Sequence, residues 1–451
     1  MTNIQIALIC ATCSHDWVQD LSEIENFRVA IRGDRQVKVY RVPCPICGSA
    51  VMVEVDAGPD DIPSSWGADR AVTMIYVDVS AAVHSRAGLG RYAERLAGAL
   101  IQAQPGRFGL FYNRGKDGRF PPSLPATVPT RHVSLGYKPW RMMVLAGQAA
   151  HLGFNRLVPQ ADLFHSTEHL LLPLRGVPTV LTVHDLIYKL FPEHHKKLNY
   201  WYLNLAMPLF CRRADAIIAV SQASKLDCVK NYGLDPAKIH VVYEAASSHF
   251  QPPPPTRIDH VQQTYDLPEH FLLHLSTIEP RKNLSRLLDA LLALRQLFPG
   301  LTLVLVGGRG WLYDDFFAKI EQLGLQGAVR PLGWVPDEDL PAIIAAADLA
   351  VQPSLYEGFG LPILEHMACG QVVAASNAAS HPEVGGEAAA YFDPLDVEEM
   401  TALIRRLLTD KDEYQHRRQL GLQQAAQFSW QRAAQETIAI YDGLIKKETG
   451  D

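Results

Sequence analysis

Several short stretches of this 451-residue chain carry residue types spaced for chemistry. Cys10-x-x-Cys13 and Cys44-x-x-Cys47 are two knuckles separated by thirty residues, with the β-rich RQVKVYRV between them. Each such turn can aim two thiolates at one ion, and two of them close a tetrahedral zinc site with no open position. A closed four-cysteine site is structural, whereas thioredoxin-type redox chemistry needs a single CxxC beside a βαβ unit. In the C-terminal half, STIEPRKN ends a strand and starts a helix, with Asn283 expected as N-cap of LSRLLDALLAL. Arg281 and Lys282 then sit where free backbone N–H groups and the helix dipole already favour an anion. Cations alone are misplaced at a helix start, so the turn reads as a pyrophosphate site.

Further along, Glu357-Gly-Phe-Gly-Leu-Pro-Ile-Leu-Glu365 runs from a strand through a loop into a helix, with Pro362 in the first helical turn. Glu357 on the loop and Glu365 on the helix are expected to converge, with several free amides, on one crevice. Carboxylates only accept hydrogen bonds, which suits the hydroxyl groups of sugars. Gly88 and Gly90, in SRAGLGRY, open a helix after a strand, where glycine lets a phosphate or sugar approach the backbone. His184-Asp185 follows TVLTV at a strand end. Asp314-Asp315 is expected on an exposed helix, and Cys211, Cys228 and Cys369 read as packing residues.

The elements that must position these groups divide the chain. Residues 1–55 form the cysteine-bearing unit, and the Gly-, Pro-, Ser- and Asp-rich 56–72 reads as a linker. Residues 73–250 alternate short β-branched runs (MIYVDV, DLFHS, TVLTV, AIIAVS, IHVVY) with helical stretches, as βαβ units of a parallel sheet do. QPPPP then interrupts, and 251–256 reads as a stiff extended connector. The same grammar restarts over 257–429 with HFLLHLS, LTLVLVGG, AVRPLGW, LAVQPS and QVVAAS. Residues 430–451 hold an amphipathic helix able to cross back to the first sheet. Open α/β sheets bind ligands outside their C-terminal strand ends, so two facing sheets make one cleft.

Composition adds bounds. With 48% hydrophobic and 20% charged residues the chain is an ordinary globular one. It lacks the roughly 18–20 residue apolar run that spans a bilayer. No leader is read at MTNIQIALICATC, which has no basic residue ahead of its apolar stretch, so a cytoplasmic location is expected. Residues 71–250 carry a balance of +9 and residues 251–451 one of −11. The first 70 residues are acidic, at −4, which argues against phosphate contacts and hence a nucleic-acid partner. HHKKLNYWYLNLAMPLFCRR flanks aromatic and aliphatic residues with basic clusters, the mixture that meets an anionic membrane surface.

Together these residues resemble the retaining glycosyltransferases of family 4, which have the GT-B fold of two Rossmann-like domains. The resemblance runs from about residue 74 to 447 and rests on GLGRY, TVHDL, EPRKN, GWVPDEDL and YEGFGLPILEHMACG in that order. It implies a nucleotide-diphosphate sugar as donor substrate and a glycan or lipid-linked acceptor, with 73–250 as acceptor domain and 257–429 as donor domain. Glu365 is implied as ligand of the nucleotide ribose, and Glu357 and His184 as contacts of the transferred sugar. Arg281 and Lys282 are implied as the diphosphate clamp, helped by amides near Phe359, Gly360 and Leu361, with Val335 and Asp337 near the base. No catalytic metal is implied. The EPRKN subgroup is similar to mannosyltransferases of surface-polysaccharide assembly, which points to GDP-mannose. The cysteine unit lies outside the family pattern, and YEAASSHF replaces the usual Asn-Gly-Val-Asp hinge. A non-hydrolysing sugar-nucleotide epimerase and a non-enzymatic zinc-ribbon adaptor are the alternatives.

Overall fold

The apolar runs of the sequence become the strands of two parallel sheets. The computed structural model describes residues 5–9, 16–20, 27–32, 35–46, 50–56 and 73–449, apart from 85–86, 116–117 and 195–196. Two compact units divide at Thr73 and Met74. In the first, β1 (Gln5–Ile9) pairs antiparallel with β2 (Asp16–Asp20), and β3 (Phe27–Arg32), β4 (Arg35–Pro43) and β5 (Ala50–Asp56) form a second antiparallel sheet. Leu8, Val42 and Val53 make its small core. Cys10, Cys13 and Cys47 of the expected zinc ribbon lie outside the described residues, while Cys44 directly follows β4 and is buried. Among the described residues, no group of three or more His, Cys, Asp or Glu is placed to hold a metal ion.

The second unit contains a seven-stranded sheet made of β6 (Ile75–Asp78), β7 (Phe108–Asn113), β8 (Thr130–Val133), β9 (Leu163–Ser166), β10 (Thr179–Val183), β11 (Ala216–Ala219) and β12 (Ile239–Val241). Their order is β12-β11-β10-β9-β6-β7-β8, and every pairing is parallel. Strands β6, β9, β10 and β11 are buried along their whole length. That is why they read as unbroken apolar runs rather than alternating ones. Two strands have no such signal: β7 follows a Pro-Gly turn and contains Gly109, and β8 is an edge strand with its centre exposed.

The six-stranded sheet of β13 (Phe271–Leu275), β14 (Thr302–Val306), β15 (Val329–Gly333), β16 (Leu349–Gln352), β17 (Val373–Ser376) and β18 (Ala390–Phe392) is also parallel, in the order β15-β14-β13-β16-β17-β18. The proline connector is shorter than expected. Pro254 is extended, but Pro255 opens the helix Pro255–Thr264, where its missing N–H costs nothing. The final helix, Trp430–Thr449, returns to pack against the helix Ala87–Ala103 beside the first sheet. Trp430, Ile438 and Tyr441 are buried there, each contributing up to about 3 kcal/mol of apolar transfer. The Tyr441 hydroxyl meets His165 Nδ1 on β9 at 2.6 Å.

Candidate active site

Both sheets end their strands toward the same group of loops. After β13 the chain makes a 3₁₀ turn, Pro280–Lys282, before the helix Leu284–Leu294. Asn283 stands at the helix start as expected but does not cap it. Its backbone is left-handed (φ 58°), and its amide instead donates to the carbonyls of Pro353 at 3.0 Å and Pro394 at 2.7 Å. The side chain thus braces two neighbouring loops, and the first N–H groups of the helix have no side-chain cap.

Arg281, Lys282 and Glu357 come together in one largely buried cluster. Arg281 Nη1 lies 2.7 Å from Glu357 Oε2 and donates to the Tyr356 carbonyl at 2.6 Å, while Nη2 pairs with Glu279. Lys282 Nζ and Ser354 Oγ both donate to Glu357 Oε1, at 2.6 and 2.7 Å. Burial would push the Glu357 carboxyl up, but Arg281 and Lys282 overcome that and hold it well below the usual carboxylate range. Burial and the neighbouring Arg281 charge push the Lys282 ammonium down. The two cations are therefore matched internally by Glu279 and Glu357.

The loop beyond Glu357 is built for close approach. Gly360 has φ 98°, a conformation that favours glycine, and a Cβ there would stand 3.1 Å from the His381 ring. It starts the helix Leu361–Ala368, and Pro362 occupies its first turn. Ser380 Oγ donates to the carbonyls of Glu357 and Phe359. Phe359 itself is buried against Tyr243 and Phe428, so its ring is committed to packing. Gly358 touches the first sheet: a Cβ there would lie 2.1 Å from the His184 carbonyl oxygen. The Gly358 carbonyl accepts from Ser221 Oγ at 2.5 Å and Ser224 Oγ at 3.2 Å.

Glu365 is buried and meets a residue of the first sheet's domain. Arg91 Nη1 lies 3.1 Å from Glu365 Oε1, and its Nη2 lies 3.1 Å from Asp337 Oδ1. Burial raises the Glu365 carboxyl to about 7; Arg91 opposes the shift, and Asp337 and Glu244 add to it. Val335 is a core residue packed with Leu340 and Ile343, so its side chain is not free to meet a base. Gly88 is exposed with open space around its Cα, whereas Gly90 lies against the Ala81 carbonyl, where a Cβ would stand at 3.0 Å. Gly90 thus has a packing reason in the fold itself.

His184 follows β10 directly. Its Nε2 meets the Thr167 carbonyl at 3.0 Å, its Nδ1 meets Glu244 at 3.3 Å, and Tyr92 packs edge-on at 4.6 Å. Sequence reasoning gave no role to Arg91, which stood only within the GLGRY motif, or to Glu244, a lone acid in VVYEAA. An isolated carboxylate just past an apolar strand was the available signal for the latter. The assembled loops can hold an anion on cations and helix N–H groups, beside carboxylates that accept hydroxyls.

Residues 86–246 match the family model described as Glycosyltransferase Family 4, and residues 256–424 the one described as Glycosyl transferases group 1. The O-antigen chain mannosyltransferase B of Escherichia coli is 38% identical over 285 residues, which are 62% of this chain and 74% of that protein. The chain belongs to glycosyltransferase family 4. It is accordingly a sugar-transferring enzyme, a hexosyltransferase. The serotype-specific mannosyltransferase WbdA of Escherichia coli is 32% identical over 287 residues, and there the match spans only 35% of the relative. The fold is similar to that of Anabaena HepE, solved in complex with UDP and glucose, with a TM-score of 0.63 at 23% identity over 82% of this chain and all of that one. The paired parallel sheets of the second unit are the GT-B architecture.

Proposed function

We propose that this family 4 enzyme is a retaining, metal-independent mannosyltransferase that moves mannose from GDP-mannose to a glycan or lipid-linked acceptor. The observation that carries the proposal is the buried cluster of Arg281 and Lys282 on Glu357 at an uncapped helix start. A donor diphosphate entering there exchanges Glu357 for its own oxygens. Amides at Gly360 and Leu361 add donors, Glu365 takes the ribose hydroxyls, and Asp337 with the Val335 backbone lies beside the base. His184 and Glu357 face the sugar. Mannose is favoured because the Escherichia coli relatives are mannosyltransferases. An epimerase or an adaptor role is not favoured by this membership.

In this reading the bond from the anomeric carbon to the phosphate oxygen breaks as the acceptor oxygen attacks the same face. The departing phosphate takes the acceptor proton. Arg281 and Lys282 stabilise the charge that develops on that phosphate, the role a divalent metal fills elsewhere. Residues 73–250 supply the acceptor side and residues 257–429 the donor side.

Two further roles belong to this reading. Cys10, Cys13, Cys44 and Cys47 hold a structural zinc, supported by their knuckle spacing and by the burial of Cys44 at the end of β4. The helix Lys197–Arg213 rests on the cytoplasmic face of an anionic membrane. Its exposed Leu198, Trp201 and Leu205 follow helical spacing, and Arg212 and Arg213 lie in its last turn. Among the described residues, no helix is long and apolar enough to cross a membrane.

A thermal-shift screen of sugar nucleotides tests the donor assignment. GDP-mannose at about a hundred times its Kd adds roughly 2.7 kcal/mol of stability. A shift with UDP sugars alone overturns the mannose assignment, and no shift with any sugar nucleotide overturns the donor site.

A further inference from the structure

Glu244 occupies a position where the chain departs from its family's hinge pattern, and it is buried. It lies three residues beyond β12, and its carboxylate Oε1 is 3.3 Å from His184 Nδ1. The other imidazole nitrogen, Nε2, lies 3.0 Å from the Thr167 carbonyl. A carbonyl oxygen only accepts, so Nε2 carries a proton. Nδ1 then faces a carboxylate, and two lone pairs cannot face each other in a buried contact. The pair therefore holds one proton beyond a neutral imidazole and a carboxylate. An imidazole, at about 6.5, is more basic than a carboxylate at about 4.3, which favours the ring as its carrier.

The surroundings agree. Facing His184 are Asp185 from its own strand end, Tyr92 from the helix Ala87–Ala103, and the His169 ring at 6.4 Å. His165 on β9 is nearby but neutral, since burial and then the His184 charge push it down to about 3. Facing Glu244 are His184, Tyr92 and Glu365, the last already paired with Arg91, which also holds Asp337. Three carboxylates (Glu244, Glu365 and Asp337) thus share Arg91 and whatever charge His184 carries. Burial alone would lower the imidazole, but the Glu244 hydrogen bond and charge, with Thr167 and Asp185, raise it above its ordinary value.

We propose that Glu244 is a positioning residue that keeps His184 as an imidazolium against the donor site. The proposal rests on the transferase reading for its catalytic consequence, but not for the protonation itself. The His184 backbone carbonyl abuts Gly358, next to Glu357, while its ring is turned toward Glu244 and Thr167. A charged ring here adds a cation on the side of the proposed donor site where Glu244 and Glu365 lie. As pH rises through the raised His184 value the ring loses its proton, so transfer falls on the alkaline side.

Nitrogen-15 NMR of the full-length, histidine-labelled protein without donor tests the pair, with His184→Gln identifying the resonance. Both ring nitrogens are expected to be protonated at pH 7.5 in the wild type, and Glu244→Gln is expected to leave only Nε2–H. Glu244→Asp, which keeps the charge, restores the doubly protonated signal at least in part. In parallel, Glu244→Gln moves the alkaline limb of kcat/KM toward acid by about one pH unit or more, with activity below it retained. A neutral His184 in the wild type overturns the proposal, as does an alkaline limb unmoved in Glu244→Gln. A protein that transfers no sugar from any nucleotide overturns the transferase reading instead, while the spectrum still decides the pair.

Discussion

Replacing Glu357 with Gln separates what that residue does for the fold from what it does for a ligand. The carboxylate stands between Arg281 and Lys282 at 2.7 and 2.6 Å, with side-chain exposures of 10–14% among the three. Glu279 still pairs with Arg281 in the variant, but Lys282 loses the carboxylate it is paired with. Removing one partner of a buried pair costs about 3–5 kcal/mol, because the charge left behind is unsolvated. At roughly 2–4 °C per kcal/mol for a domain the size of residues 257–429, its melting temperature falls by about 6–20 °C. The wild-type stabilisation has a definite pH window. Because folding lowers the Glu357 value, its contribution is full above the ordinary 4.5 and disappears as pH falls through the depressed folded value. The variant deficit is therefore constant from pH 6 to 8 and shrinks only in strong acid.

The same change exposes two cations to an incoming anion. Inorganic pyrophosphate no longer has to displace Glu357, so its affinity rises about tenfold or more, equivalent to some 1.4 kcal/mol, and added pyrophosphate recovers part of the lost stability. Transfer activity falls at the same time, since Glu357 is also assigned to the sugar. Differential scanning fluorimetry with and without pyrophosphate reads the stability, calorimetric titration the affinity, and a sugar-transfer assay the activity. A variant as stable as wild type and no better at binding pyrophosphate would refute the idea that Glu357 guards these cations.

Three other outcomes follow from the same groups. Nucleoside-diphosphate affinity rises about tenfold from pH 6 to 8 as the Glu365 carboxyl ionises around 7, and calorimetry of Glu365→Gln finds that dependence gone. Elemental analysis finds one zinc per chain, lost in Cys44→Ser, with partial unfolding of the first unit. Trp201→Glu weakens sedimentation with anionic vesicles at low salt without changing donor affinity; equal binding by both proteins removes the membrane role from the Lys197–Arg213 helix.

The legible parts of the fold were those in which one segment carries its own signal. Strands β6, β9, β10 and β11 are buried on both faces and announce themselves as apolar runs. Edge strand β8, half exposed and without an apolar run, does not. At the site, STIEPRKN and the Glu357–Glu365 loop show their chemistry locally, through charge beside glycine and proline. Partnerships across the cleft leave no such trace. Arg91 reaches Glu365 over 274 residues of chain, and Glu244, just past β12, reaches His184, just past β10, across the intervening β11. Asn283 was placed correctly at a helix start, yet its left-handed backbone aims the amide away from the cap. Propensity gives the position and not the dihedral angle. A loop valine such as Val335 carries no mark of whether its side chain faces a ligand or, as here, the core.

Glu357 covers Arg281 and Lys282, while Arg91 covers Glu365 and Asp337. On the proposed reading, each group that must bind donor is already satisfied by a group of opposite charge, so binding proceeds by exchange. An anion without hydroxyls can displace Glu357 from its cations, but it offers that carboxylate no donor in their place and leaves it with Ser354. A neutral sugar can meet carboxylates, but it cannot take over the cations. A nucleotide sugar supplies diphosphate oxygens to Arg281 and Lys282 and hydroxyl donors to Glu357 and Glu365 in one step. Leaving either half unmet in a buried site costs about 1–3 kcal/mol per polar group, and more for a charge. Selection for a molecule that is both anionic and hydroxylated then comes from the internal pairs themselves. Hence Glu357→Gln, which gains pyrophosphate affinity, should also bind GDP and GDP-mannose with more nearly equal affinity than the wild type does.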